Sequence, residues 1–262
     1  MFDGTTTPPL VFFHTLPMPC PYLPDRLERR LVADISSRRG RNSHDALARA
    51  GFRRTQNLCY RPACPTCRAC LPIRVRVADF RWTRSFRRIK NRNNDVASAW
   101  RKAQASTEQF LLFKQYQSSR HTDGEMSLMD YVEFGDQVER SPIESRVLEY
   151  RDATSDDLLG AMLIDVQDDG LSAVYSFFSP ELADRGLGSY MILDLIERAV
   201  NQGLAYVYLG YWIAETRKMS YKARFRPAEV LLEAGWTDLS ALEETRKQAR
   251  AKANSSIAGE GC

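Results

Sequence analysis

Three features of the 262-residue chain combine residue types and spacings that suit chemistry. The first is Cys64-x-x-Cys67-x-x-Cys70, which puts three thiols in one turn, with Cys20 or Cys59 available as a fourth. Such a group suits Zn²⁺, although a second Cys-x-x-Cys at finger spacing is missing; otherwise it is a set of reduced thiols lining a pocket. The second is the pair Lys218 and Lys222, four residues apart and therefore on one face of a short helix, near Tyr211 and Tyr221 in sequence. Ammonium groups mixed with aromatic rings suit a ribose and its phosphate. The third is a run of cations, with Arg74 and Arg76 on one strand and Arg84, Arg87, Arg88, Lys90 and Arg92 soon after. Their guanidinium forks match carboxylate and phosphate. His121 and Asp123 could act as a general base, but His121 closes a helix, where an imidazolium meets the helix dipole, and capping is the simpler reading.

The elements that must position these residues are legible as patterns. Asp25–Ile35 reads as a short helix with Leu27, Leu31 and Ile35 on one stripe, and Ser43 caps a second that ends at Gly51. Phe52–Tyr60 and Leu71–Val77 read as extended, and in the latter Ile73, Val75 and Val77 alternate with Arg74 and Arg76. Glu108–His121 is helical, and Ser127 starts another helix through Phe134. Arg146–Tyr150, Leu158–Val166 and Leu171–Phe178 are strands, the last two joined at Asp169-Gly170 as a hairpin. Arg185, Gly186 and Gly188 form a loop opening a helix from about Ser189 to Asn201, which Gly203 stops. Ala205–Trp212 is a buried strand and Glu215–Ala223 a short helix; the polar tail after Ser240 is expected to fray.

Composition fits a globular enzyme, with 44% hydrophobic and 27% charged residues, and its 14 Gly and 12 Pro are too few for a fibrous or disordered chain. Neither an apolar run long enough to span a bilayer nor a secretory start is visible, so a cytoplasmic protein with reduced cysteines is expected. Charge is segregated. Residues 1–102 carry 21 basic and 7 acidic side chains, and the remaining 160 carry 16 and 26. A basic half beside an acidic half points to docking of a polyanion; a solvated arginine-rich surface is the plainer alternative. The expected organisation is α+β (α/β), with an Arg/Cys-rich domain over 1–105, a catalytic domain over 106–240 and a tail over 241–262.

The order hairpin, glycine loop, helix, strand resembles the core of GNAT-type acyltransferases, whose loop and helix N-terminus hold the phosphates of acetyl-CoA. In Arg185-Gly-Leu-Gly188-Ser-Tyr190 the last position of that motif, normally tiny, is tyrosine. Tyr190 is therefore expected to fill the space CoA needs, leaving the scaffold to another acyl carrier and offering a surface for a terminal adenosine.

Longer stretches resemble the bacterial aspartate/glutamate leucyltransferases of the arginyl-tRNA–protein transferase family. They are PCPYLPDRLERR (19–30), GFRRTQNLCYRPACPTCRACLPIRV (51–75), RSFRRIKNRNND (84–95), RHTDGEM (120–126), DGLSAVYSFFSP (169–180), RGLGSYMIL (185–193) and LGYWIAETRKMSYKARFRP (209–227). The resemblance implies transfer of leucine from leucyl-tRNA to proteins with N-terminal Asp or Glu, marking them for degradation by the N-degron route. Arginyl-tRNA as donor and CoA-dependent N-acetylation are the alternatives; a non-catalytic nucleic-acid-binding protein would leave the glycine loop and the 209–227 segment without purpose. It also raises an iron–sulfur cluster beside zinc at Cys20, Cys64, Cys67 and Cys70, although the chemistry requires neither. An aminoacyl ester is already activated, so alignment of the α-amine and stabilisation of the oxyanion should suffice. The expected catalytic positions are Tyr175, Ser176 and Phe177, through a backbone N–H of their strand, and Tyr211. Arg74, with Arg88 second, is expected to read the acceptor carboxylate. Arg87, Lys90 and Arg92 are expected to meet the tRNA, with Trp82 or Phe86 as a stacking surface, and Lys218, Tyr221 and Lys222 to meet its terminal ribose and phosphate. Neither DNA nor membrane is an expected partner.

Overall fold

Alternating and fully apolar segments assemble here into one large mixed sheet, seen in a computed structural model that describes residues 9–120 and 124–259. His121 and Asp123 lie outside the described residues. In chain order the strands are β1 (Phe12–His14), β2 (Met18–Pro19), β3 (Leu27–Glu28), β4 (Arg30–Asp34), β5 (Arg53–Thr55), β6 (Leu58–Pro62), β7 (Leu71–Arg76) and β8 (Val96–Lys102). They continue with β9 (Ser145–Asp152), β10 (Leu158–Val166), β11 (Gly170–Phe178), β12 (Tyr206–Trp212), β13 (Ala228–Leu232) and β14 (Gly235–Asp238). The helices are α1 (Arg38–Asn42), α2 (His44–Arg49), α3 (Arg84–Arg92), α4 (Thr107–Arg120), α5 (Tyr131–Glu139), α6 (Leu187–Asn201), α7 (Arg217–Ser220) and α8 (Leu239–Gly259).

Eight strands run in the order β14-β13-β7-β12-β11-β10-β9-β8. Only β11 and β12 are parallel, because α6 returns the chain between them as a crossover. Successive residues of β9 and β10 face opposite sides. Leu148, Tyr150, Met162 and Ile164 pack with Leu187, Met191, Leu195 and Ile196 of α6. Val147, Ala161 and Leu163 pack with Phe113 of α4 and Phe134 of α5. This is the order hairpin, glycine loop, helix, strand expected from the sequence, within an α+β fold.

A four-stranded sheet, β1-β4-β6-β5, sits against the large one. Arg54 ties them together, donating from Nε and Nη2 to the two oxygens of Asp165 at 2.8 and 2.7 Å, both side chains buried. Ser145 Oγ donates to the same carboxylate at 2.7 Å, so the pair keeps the hydrogen bonds that burial requires.

Several expected elements change. Asp25–Ile35 forms β3 and β4 instead of a helix, because β4 finds partners on both edges in β1 and β6. Asp130, not Ser127, caps α5, in a capping box with Glu133. The polar tail extends α8 through Gly259. β7 and β8, expected in the N-terminal domain, are strands of the large sheet, so the sheet runs across the expected boundary at 105.

Candidate active site

The site begins where two strands part. β11 and β12 pair from Gly170 opposite Tyr206 to Ser172 opposite Tyr208, and no further. Each strand bulges there. In β11, Leu163 opposes Tyr175 and Ile164 opposes Ala173, so Val174 is the extra residue. In β12 the register against β7 shifts between Tyr208 and Tyr211, where Gly210 adopts φ +75°. Bulges re-aim backbone groups, and left-handed φ suits glycine. From Ala173 onward the edge of β11 that faces β12 is unpaired by it, and this stretch includes Tyr175–Phe178, expected to supply an oxyanion donor.

Arg53 of β5 occupies the gap. Its Nη2 donates to Val174 O at 2.6 Å, and its guanidinium lies against Gly210: a Cβ on that residue would stand 2.6 Å from Arg53 Cζ. The ring of Tyr211 is 5.9 Å away. Lys222 comes from the turn after α7, is buried, and donates from Nζ to Tyr211 O at 2.7 Å. Burial, with Arg53's charge second, lowers its ammonium from the ordinary 10.5 to about 7. Tyr211 is itself buried, and its hydroxyl is shared between Gly51 O and Tyr60 O, both at 3.0 Å. It holds β12 to the smaller sheet and has no hydroxyl to offer a substrate.

On β11, Tyr175 is half-buried and its hydroxyl accepts from Gln117 Nε2 at 2.5 Å. Burial pushes that phenol well above its usual range. Ser176 is half-buried, and Phe177 is buried in the core beside α4. The glycine turn is covered by its neighbours. Ile89 of α3 packs on Gly186, Asn93 Nδ2 donates to Arg185 O at 3.0 Å, and Arg92 donates to Asp184 O. α3 therefore covers the start of α6. Gly188 is tight as well, since a Cβ there would stand 2.8 Å from Phe178 Cε1.

Models of the arginine-tRNA-protein transferase N terminus and C terminus match residues 18–88 and 108–232. An aspartate/glutamate leucyltransferase of Granulibacter bethesdensis is 47% identical over 244 residues, covering 92% of this chain and 91% of that one. Another, of Paramagnetospirillum magneticum, is 48% identical over 228 residues, covering 87% and 93%. The chain belongs to the arginine-tRNA–protein transferase family. It is an aminoacyltransferase. Among solved structures FemX aligns with a TM-score of 0.45 at 8% identity, over 80% of this chain and 82% of that one.

Within the transferase the expected residues separate into three sets. Arg87 and Arg88 are exposed on α3, as is Lys218 on α7, and none of the three forms an ion pair among the described residues. Lys90 and Arg92, although exposed, are engaged by Glu197 and by Asp184 O. Tyr221 is exposed, next to buried Lys222.

The second set is structural. Arg74 is buried, donating from Nε to Glu229 at 2.8 Å with its guanidinium 3.6 Å from the ring of Tyr206 and 4.1 Å from that of Trp236. Its carboxylate partner is already in the chain, which removes it as reader of an incoming one. Tyr190 does not line the cleft: its ring meets Tyr150 at 6.0 Å and its hydroxyl donates to Val96 O at 3.4 Å. Position four of α6 faces the sheet, so this phenol does not fill the space beside the glycine turn, as expected, and α3 covers that turn instead. Phe86 is stacked between Phe80 and Phe225, and Trp82 stands edge-on to Phe80. Phe86 is core, so it offers no surface to a base.

The third set is the cysteines. Cys20, Cys64, Cys67 and Cys70 line one cleft with Tyr22, Tyr60 and Tyr211. Among the described residues no three of His, Cys, Asp or Glu stand together in a way that could hold a metal ion. Cys67 Sγ accepts from Arg26 Nη1 at 3.3 Å, and burial pushes the Cys70 thiol up to about 12. As placed, these thiols do not form a ligand set for zinc or an iron–sulfur cluster. Arg53, Arg54 and Gly210 were not among the expected functional residues. The signals present were an arginine doublet inside an extended segment and a glycine interrupting Tyr-Leu-Gly-Tyr-Trp.

Proposed function

We propose that the chain transfers leucine from leucyl-tRNA to the α-amine of proteins beginning with Asp or Glu, acting in the cytoplasm and marking its products for degradation. The names of its relatives and the cleft together support this reading. The single observation that carries it is the parting of β11 and β12 around two cations, Arg53 and Lys222, with the CoA-binding helix start covered by α3. An acyl-transfer cleft of that kind suits an anionic acceptor and an acyl donor other than CoA.

In this reading the donor's 3′ end enters at the exposed side, where Arg87, Arg88 and Lys218 face phosphates and Tyr221 faces the terminal ribose. The acceptor's neutral α-amine attacks the ester carbonyl. Because an α-amine titrates near 7.7–8.0, an adequate fraction is neutral at cytoplasmic pH without a dedicated base. The carbonyl oxygen becomes an oxyanion beside the bulged, unpaired edge of β11 at Val174–Phe177. The C–O bond to the ribose then breaks, the amide remains, and the ribose oxygen takes up a proton as the amine loses one. Positioning supplies much of the acceleration, since effective molarities reach ~10⁵ M or more.

The test offers leucyl-tRNA, arginyl-tRNA and acetyl-CoA, each labelled in the acyl group, to the protein with peptides beginning Asp, Glu, Lys or Ala. Label should enter only the acidic peptides and only from leucyl-tRNA. Label from arginyl-tRNA alone would replace the donor, and label from acetyl-CoA would overturn the reading.

A further inference from the structure

Arg53 and Lys222 are an unbalanced pair. Neither forms an ion pair with any carboxylate among the described residues, although one is half-buried and the other buried. A buried cation ordinarily has a counterion, and its absence marks a place where an anion completes the site. The two lie together: Arg53's guanidinium rests on Gly210, and Lys222 Nζ sits 2.7 Å from the carbonyl oxygen of the next residue, Tyr211. Arg53 commits Nη2 to backbone carbonyls of β11. No hydrogen bond among the described residues engages its Nε or Nη1, which leaves their N–H groups as donors for an anion. The other ionisable groups acting on this pair are Tyr22, Tyr60, Tyr211, Tyr221 and Cys70, none of them a carboxylate.

We infer that Arg53 and Lys222 together bind the side-chain carboxylate of the acceptor's N-terminal Asp or Glu. The inference rests on the function proposed above and gives its acceptor specificity to two named residues. Geometry favours a carboxylate over a tRNA phosphate. Arg53 is bonded to Val174 O, at the bulge where the amine must attack, and an aspartyl carboxylate is only two carbons from the carbon bearing that amine. The exposed cations of α3 and α7 suit the larger, solvated phosphate backbone instead. Gly210 belongs to the device, because any side chain there would displace the guanidinium.

The experiment measures leucyl transfer to matched peptides, Asp against Asn and Glu against Gln, by wild type, Arg53→Met and Lys222→Met. Losing one charge-assisted partner should cut the preference for the acid about 10- to 100-fold, through KM for the peptide. Leucyl-tRNA affinity should stay within about twofold. Calorimetric binding of Asp- and Asn-led peptides decides the matter independently of transfer: wild type should prefer Asp, and its binding near pH 7 should take up a proton as Lys222 becomes fully charged. Arg53→Lys, which keeps the charge and loses the fork, should fall between, and serves if Arg53→Met does not fold. An unchanged Asp:Asn preference in the variants, or tRNA affinity falling in parallel, would overturn the inference. A wild type that prefers Asp in calorimetry yet transfers no aminoacyl group would instead contradict the proposed function alone.

Discussion

Lys222 should weaken the fold at neutral pH, and Lys222→Met should therefore stabilise it. Displacement of the ammonium from 10.5 to about 7 corresponds to about 5 kcal/mol of penalty on the charged form. The depressed value fixes the sign. Above pH 10.5 lysine is neutral in both states and no penalty applies. Between 10.5 and 7 the unfolded chain holds the extra proton, so wild-type stability falls as pH falls, by up to about 1.4 kcal/mol per pH unit. Below 7 the penalty is complete. Methionine removes it, but leaves Tyr211 O without the donor at 2.7 Å, which costs about 1–3 kcal/mol. The variant should thus be more stable than wild type by about 2 kcal/mol at pH 6–7, and the gain should vanish near pH 9. Urea unfolding of both proteins at pH 6, 7, 8 and 9 gives the difference, in which other titrating groups cancel. A difference that does not change with pH, or a variant less stable than wild type at pH 6, would refute the reasoning. Such a stabilised variant should also be a poor enzyme for acidic acceptors, since functional sites retain groups that cost stability.

Arg74→Ala should cost about 3 kcal/mol, by leaving largely buried Glu229 with only the looser contact of Arg76 at 3.9 Å, while the Asp:Asn preference survives; thermal unfolding and paired-peptide rates check both halves. Gly210→Ala combines a left-handed backbone, worth about 1–2 kcal/mol, with a methyl 2.6 Å from Arg53 Cζ. It should yield a folded protein with the low acid preference of Arg53→Met, read by the same rates. Tyr190→Ala should cost about 3–5 kcal/mol as a core truncation, without producing coenzyme A affinity in equilibrium binding, because α3 still covers the start of α6. Tyr190→Phe should lose only about 1 kcal/mol with the bond to Val96 O.

How much was legible depended on how local each cause is. The β10–β11 hairpin, β7, β12 and α6 follow from apolar runs, a two-residue period and glycine punctuation, all encoded within a few residues. β4 was hidden because Leu27, Leu31 and Ile35 satisfy a helical stripe equally well, and pairing with β1 and β6 decided between the two. Helix α8 was hidden because its polarity outweighed its content of strong helix formers. The exposed cations of α3 and α7 could be read from composition. Arg74 could not: strand alternation shows that it leaves the apolar face, but its partner, Glu229, lies 155 residues away on β13. Arg53 was missed for the same reason in reverse, since nothing near it in sequence reveals that β11 and β12 part around it. Tyr190 lay in the correct loop–helix motif, yet the helix rotation that turns it toward Tyr150 is set by the sheet beneath.

The most direct test of the account mixes purified protein with leucyl-tRNA and an Asp-led peptide, then sequences the product by mass spectrometry. The account predicts a peptide extended by one leucine at its N-terminus, formed without added metal or ATP and undiminished by excess coenzyme A. An unmodified peptide, or one acetylated when acetyl-CoA is supplied, would contradict it.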